Sequence, residues 1–161
     1  MVGEWLGGLE ATALAGALRD SVWVYPLVNA GHILGVALLV GSIIPLDLRL
    51  LGAWRSVPLA PLWQVLTRTA ASGLALAVVF GSLLFITRAT EYAASGFFIA
   101  KMVVVGAASA NALVLRRVVP GEISSIGPAT GKPSRRLWLA GGVSLAGWLI
   151  ALTLGRLIGY F

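Results

Sequence analysis

Apolar residues in this chain run without interruption instead of alternating with polar ones, and the runs stop at charges. Twenty-six uncharged residues separate Asp20 from Asp47. Uncharged runs also fill Thr69 to Thr87, between Arg68 and Arg88, and Leu137 to Gly155, between Arg136 and Arg156. A further stretch from Phe97 to Leu115 is equally apolar but carries Lys101 near its start. A helix crosses the hydrocarbon core of a bilayer in about 20 residues, and lipid accepts a backbone only when its polar groups bond to one another. The pattern predicts an all-α polytopic membrane protein, a four-transmembrane-helix bundle with spans at about 22–46, 69–87, 97–115 and 137–157. One membrane domain then fills 1–161, leaving no room for a separate soluble one. Pro26 falls in the first turn of its span, where a missing N–H costs nothing.

Outside the runs the signals are weaker. Trp5, Leu6, Leu9, Ala13 and Ala17 fall on one side of a short N-terminal helix over 3–18, expected to lie in the membrane interface. No basic residue precedes Arg19, so no cleaved signal is expected. The 116–136 segment holds Pro120, Gly121, Ser124, Ser125, Gly127, Pro128, Gly131 and Pro133. That is linker composition, and a mobile cytoplasmic loop is expected there.

Composition agrees with the pattern and charge orients it. Of 161 residues 58% are hydrophobic and 11% charged, against about a quarter charged in soluble domains. Arg49, Arg55, Arg68, Arg116, Arg117, Lys132, Arg135 and Arg136 lie at one end of the spans, with Arg19, Arg88, Lys101 and Arg156 at the other. Positive charge stays cytoplasmic, so both termini are expected outside, on the periplasmic face of a bacterial inner membrane. The net charge of +6 is thereby assigned to topology and anionic lipids, not to nucleic acid. Cysteine is absent, which removes disulfides, iron–sulfur clusters and thiolate zinc sites.

Small residues recur at four-residue spacing: Gly31 and Gly35; Gly73, Ala77 and Gly81; Gly106 and Ala110. Packing within one bundle is the expectation, with a homo-oligomer or larger membrane complex as the other use of such faces.

His32 is the only histidine. On a helical period Ser21, Tyr25, Asn29 and His32 fall within about 80° of one another, and the same face continues as Val36, Leu39 and Ile43. Polarity confined to the outer half of a span predicts a pocket, not a channel. Lys101 shares that half, and Arg88, Glu91 and Tyr92 lie on the connection beside it. Ionisable groups in lipid are costly, at least ~2.5 kcal/mol on insertion scales, and mark candidate sites. A neutral imidazole there suits haem iron, with Lys101 or Arg88 pairing the propionates. The predicted site is therefore His32, Lys101, Tyr25, Asn29 and Arg88, with His32 as iron ligand to a b-type haem. One histidine gives one axial ligand; Met102 stands at a suitable level for a second. Copper would want more His, Cys or Met than this chain offers. The alternative is a structural or accessory subunit, or a small transporter, whose polar pocket serves packing, a lipid or a quinone. Asp47, Arg49 and Arg68, at the other end, are read as Asp–Arg fastening of adjacent helices. GxSxG, HExxH and Walker patterns are missing, so an independent enzyme is not expected; a haem-linked membrane oxidoreductase is the one enzymatic class left.

The stretch from Asn29 to Gly41, Asn-Ala-Gly-His-Ile-Leu-Gly-Val-Ala-Leu-Leu-Val-Gly, followed by Leu46-Asp-Leu-Arg-Leu-Leu-Gly52, resembles an uncharacterised family of small bacterial four-helix membrane proteins. More distantly, His32-x-x-Gly35 with Lys101-Met-Val-Val-Val resembles the CopD and HemJ-type membrane proteins. The resemblance implies copper handling or haem-linked protoporphyrinogen oxidation. By it His32 is the haem-ligand candidate and Lys101 the matching intramembrane lysine. Asn111 stands where that pattern has another histidine.

Overall fold

The computed structural model describes residues 2–126 and 134–160. They form α1 (Val2–Glu10), α2 (Ala13–Asp20), α3 (Val24–Leu50), α4 (Leu59–Thr87), α5 (Ala89–Ala94), α6 (Gly96–Ile126) and α7 (Arg135–Leu157). No strand occurs among the described residues. Helices α3, α4, α6 and α7 are each long and apolar enough to cross a membrane; even α7, with 23 residues, is about 35 Å long. Their outward faces are greasy: Ile33, Val65, Val103, Leu113 and Val143 are all more than half exposed, which water would not tolerate over so large a surface. The protein is an integral membrane protein built as a helical bundle.

Two helix pairs make the bundle. Helices α3 and α4 pack most closely, because glycines let their backbones meet. A Cβ on Gly35 would lie 2.5 Å from Ala77 N, and one on Gly73 would lie 2.5 Å from Leu39 N. The α6–α7 pair is tied by Asn111 Nδ2, which donates to the Ala140 carbonyl at 3.1 Å. The pairs join along α3 and α7, while α6 meets α4 sparingly and does not touch α3 through its backbone. The expected intramolecular use of small residues holds for Gly31, Gly35, Gly73, Ala77 and Gly81. Gly106 has open space around it, and Ala110 is exposed.

Along its length the bundle alternates apolar and polar layers. Leu39, Ile43, Ala70, Ala108 and Trp148 form one apolar cluster, and Leu50, Leu115, Val119 and Leu137 another. Buried Asp47 and Ser144 lie between them in sequence along α3 and α7, and buried Ser42 sits beside Ile43 of the first cluster. The second cluster explains one departure from the sequence reading. Leu115 and Val119 are held against Leu50 and Leu137, so α6 continues through Pro120 to Ile126 where a loop was expected; tertiary burial outweighs local propensity. Residues 127–133 of that expected loop lie outside the described residues. Likewise α4 starts at Leu59, ten residues before the predicted span, with Pro61 accommodated in the first turn.

The expected interfacial helix is two helices, α1 and α2. Thr12 divides them: its hydroxyl oxygen accepts from Ala15 N and caps α2.

Candidate functional site

His32 sits midway between two of the bundle's layers. Seven residues beyond it, about 10 Å along the helix, Leu39 begins the apolar cluster that includes Trp148, with Leu74 and Val105 packed against it. Toward the other end of the span, Phe85, Tyr92 and Phe98 pack ring on ring, with centroids 5.4 to 6.2 Å apart. Tyr25 is close enough to Tyr92 to influence its ionisation, and burial pushes the Tyr92 phenol above its ordinary range. An aromatic roof and an apolar floor thus bound one polar level, occupied by His32 on α3 and Lys101 on α6.

Neighbouring helices fix both side chains. The His32 ring lies against Gly81, where an added Cβ would come within 3.0 Å of it, and Nδ1 is 2.9 Å from the Ala77 carbonyl oxygen. A carbonyl can only accept, so Nδ1 carries the proton and donates, and in the neutral ring Nε2 keeps its lone pair. The same hydrogen bond fixes tautomer and ring orientation in metal-ligating histidines. Lys101 extends across to α7, its Nζ 3.3 Å from where a Cβ on Gly155 would be. On α6 Lys101 precedes Val105, which packs against the same cluster as Leu39, by four residues.

The other sequence-predicted residues divide. Tyr25 is half-buried beside the roof, whereas Asn29 is exposed. Arg88 does not join His32. Its side chain is 64% exposed and pairs with Glu91 at 3.3 Å, turned aside by the non-helical backbone (φ −148, ψ 49) that ends α4. Met102 is 43% exposed, facing away from the bundle, and Asn111 is committed to Ala140. Among the described residues His32 is the imidazole at this level, and its Nε2 lone pair is available as a ligand. No group of three His, Cys, Asp or Glu residues suited to a metal ion occurs among the described residues.

At the opposite end the expected Asp–Arg fastening is replaced by other contacts. Asp47, 2% exposed, lies beside the Ser144 hydroxyl of α7, and its Oδ2 has no partner. Arg49 turns into the α3–α4 connection, donating from Nε to the Val57 carbonyl at 2.9 Å, and Arg68 is exposed. The sequence gives no clue to these neighbours, because they are a hydroxyl and a backbone carbonyl, and Asp47 Oδ2 and Arg49 Nη1 are left without a partner.

No protein-family model, curated protein or solved structure matches the chain.

Proposed function

We propose that this protein binds a b-type haem, or acts with one in membrane redox chemistry, through the polar level between His32 and Lys101. The observation that carries the reading is the 2.9 Å contact of His32 Nδ1 with the Ala77 carbonyl oxygen, which places the ring proton on Nδ1 and leaves Nε2 as the available donor to iron. The donor set fits one axial bond per chain. Lys101 supplies a cation for a carboxylate such as a haem propionate, and the rings of Phe85, Tyr92 and Phe98 screen the level from water. Bound there, haem supplies one-electron chemistry. The residues themselves orient the imidazole, offer positive charge and exclude solvent. A second axial ligand would come from water or another subunit.

The resemblance to the HemJ-type proteins leans the same way. The orientation that goes with this reading places the site in the periplasmic half of a bacterial inner membrane, with both termini outside, by the excess of arginine and lysine at the other end.

A purely structural use of His32, fastening α3 to α4, draws on the same hydrogen bond and on Gly81, and the test separates the two. After purification in mild detergent from haem-supplemented cells, the haem reading expects a Soret band and a reduced-minus-oxidised α-band above background. A fastening role expects neither. Cysteine labelling checks the orientation. Ala94→Cys should react with an impermeant reagent on intact cells and Ser125→Cys only after permeabilisation; the reverse would overturn it.

A further inference from the structure

The N-terminal helices build a second site at the end of the bundle. Arg19 on α2 donates from Nη1 to the Thr87 carbonyl at 3.0 Å and from Nη2 to the Glu10 carbonyl at 2.8 Å. The Glu10 carboxylate reaches α5, where Oε1 accepts from Thr90 N and from Thr90 Oγ1, both at 2.7 Å. These bonds hold α1 and α2 against the end of α4. The docking leaves an open pocket of about 540 Å³ whose lining includes Arg19, Arg88, Glu10, Glu91, Gly7 and Thr87.

The pocket lies at headgroup level. Thr87 is the last residue of the span α4, Asp20 precedes α3 by a few residues, and Trp5 and Trp23 are exposed at this end, as tryptophans are in interfacial belts. Its charges cancel: two guanidiniums and two carboxylates. That balance disfavours a net anion and suits a zwitterion. Arg19 uses two of its five N–H donors on carbonyls, leaving the rest for phosphate oxygens. Arg88, 64% exposed, can reach the same anion. Glu91 and the remaining oxygen of Glu10 accept hydrogen bonds, which a primary ammonium donates and a quaternary one cannot. Among the described residues no aromatic ring lines the pocket, and aromatic cages are what recognise quaternary ammonium.

We propose that this pocket binds the phosphate and primary ammonium of a phosphoethanolamine headgroup, carried by a zwitterionic phospholipid. The site is separate from the His32 level and does not depend on the haem reading.

Native mass spectrometry of the full chain tests it. Protein is released from nanodiscs holding equal phosphatidylethanolamine, phosphatidylcholine and phosphatidylglycerol. The expected result is retention of phosphatidylethanolamine by about tenfold over the other two, the scale of one charge-assisted hydrogen bond. Three variants probe the pocket without touching the docking bonds. Arg88→Gln and Glu91→Gln each remove one charge from its rim. Gly7→Phe fills space, since nothing lies within 4 Å of a Cβ at Gly7. Each should erase the preference. Competition by soluble phosphorylethanolamine assigns the site to the headgroup itself, and failure to compete assigns it to the whole lipid. Equal retention of the three lipids, a preference unchanged in all three variants, or displacement by inorganic phosphate as effective as by phosphorylethanolamine overturns the proposal.

Discussion

Gly35→Ala and Gly73→Ala should each drive α3 and α4 apart. A Cβ on Gly35 would meet Ala77 N at 2.5 Å and Gly73 O at 2.9 Å; one on Gly73 would meet Leu39 N at 2.5 Å and Gly35 O at 2.8 Å. Carbon sits comfortably at about 3.5–4.0 Å from such atoms, so the helices must separate by about 1 Å. The nearest obstacles are backbone atoms, which cannot rotate away, and the Leu38 Cβ, 2.9 Å from a Cβ on Gly73, is fixed by its own backbone. Overpacking of this kind costs about 1–3 kcal/mol, and the helix propensity gained by replacing glycine, about 1 kcal/mol at most, offsets only part of it. Gly106→Ala is the control: nothing lies within 4 Å of its Cβ, so it should be neutral or slightly stabilising. One shift of the helices relieves both clashes, so the double mutant should cost less than the sum by more than the ~0.5 kcal/mol expected of independent sites. Reversible unfolding in mixed micelles, followed by far-UV circular dichroism and steric trapping, measures these differences. Stability of Gly35→Ala and Gly73→Ala equal to that of Gly106→Ala would refute the close approach. The same 1 Å shift would stretch the His32–Ala77 bond, now 2.9 Å, past hydrogen-bonding range.

Two further outcomes follow from the interhelical bonds. Thr90 holds the Glu10 carboxyl below its ordinary value of 4.5, through its backbone N–H first and then its hydroxyl. A depressed folded-state pKa gives stability that is fully present above the undocked value and lost as pH falls below it. Docking of α1 and α2 should therefore hold at neutral pH and weaken from about pH 4.5 downward, read as faster amide exchange in α2; in Glu10→Gln that acid-dependent component should vanish, and its persistence would point to another group. Asn111→Leu should loosen α6 from α7 by about 0.6 kcal/mol, the average for hydrogen bonds between membrane helices, leaving the α3–α4 pair unaffected in disulfide cross-linking across each seam.

What the sequence made legible was set by lipid. Charge-bounded apolar runs located the four spans because a bilayer admits little else of that length. The ends were harder. Arg68 and Pro61 obscured the first turns of α4, and Arg116, Arg117 and Pro120 suggested that α6 had ended. Its continuation depends on Val119 meeting Leu50 and Leu137, contacts between elements far apart in sequence. At the site, His32 and Lys101 stood out as ionisable groups in apolar surroundings. The acceptor for His32 is a backbone carbonyl, which has no sequence signature; only the small residues at 73, 77 and 81 hinted that another backbone comes close. Arg88 is directed away from that level, toward Glu91, by the break that ends α4, and the roles of Glu10 and Thr90 in docking the N-terminal helices could not be read without the fold.

We propose that His32 offers its Nε2 to haem iron between Lys101 and the aromatic roof. Titration of haem into purified protein in nanodiscs, with His32→Ala run in parallel, tests it most directly. The expected result is a saturable Soret shift at one haem per chain, with affinity at least about 100-fold weaker in the alanine variant, as follows when the ligand itself is lost. Non-saturating binding, or equal affinity in both proteins with folding intact, would contradict it.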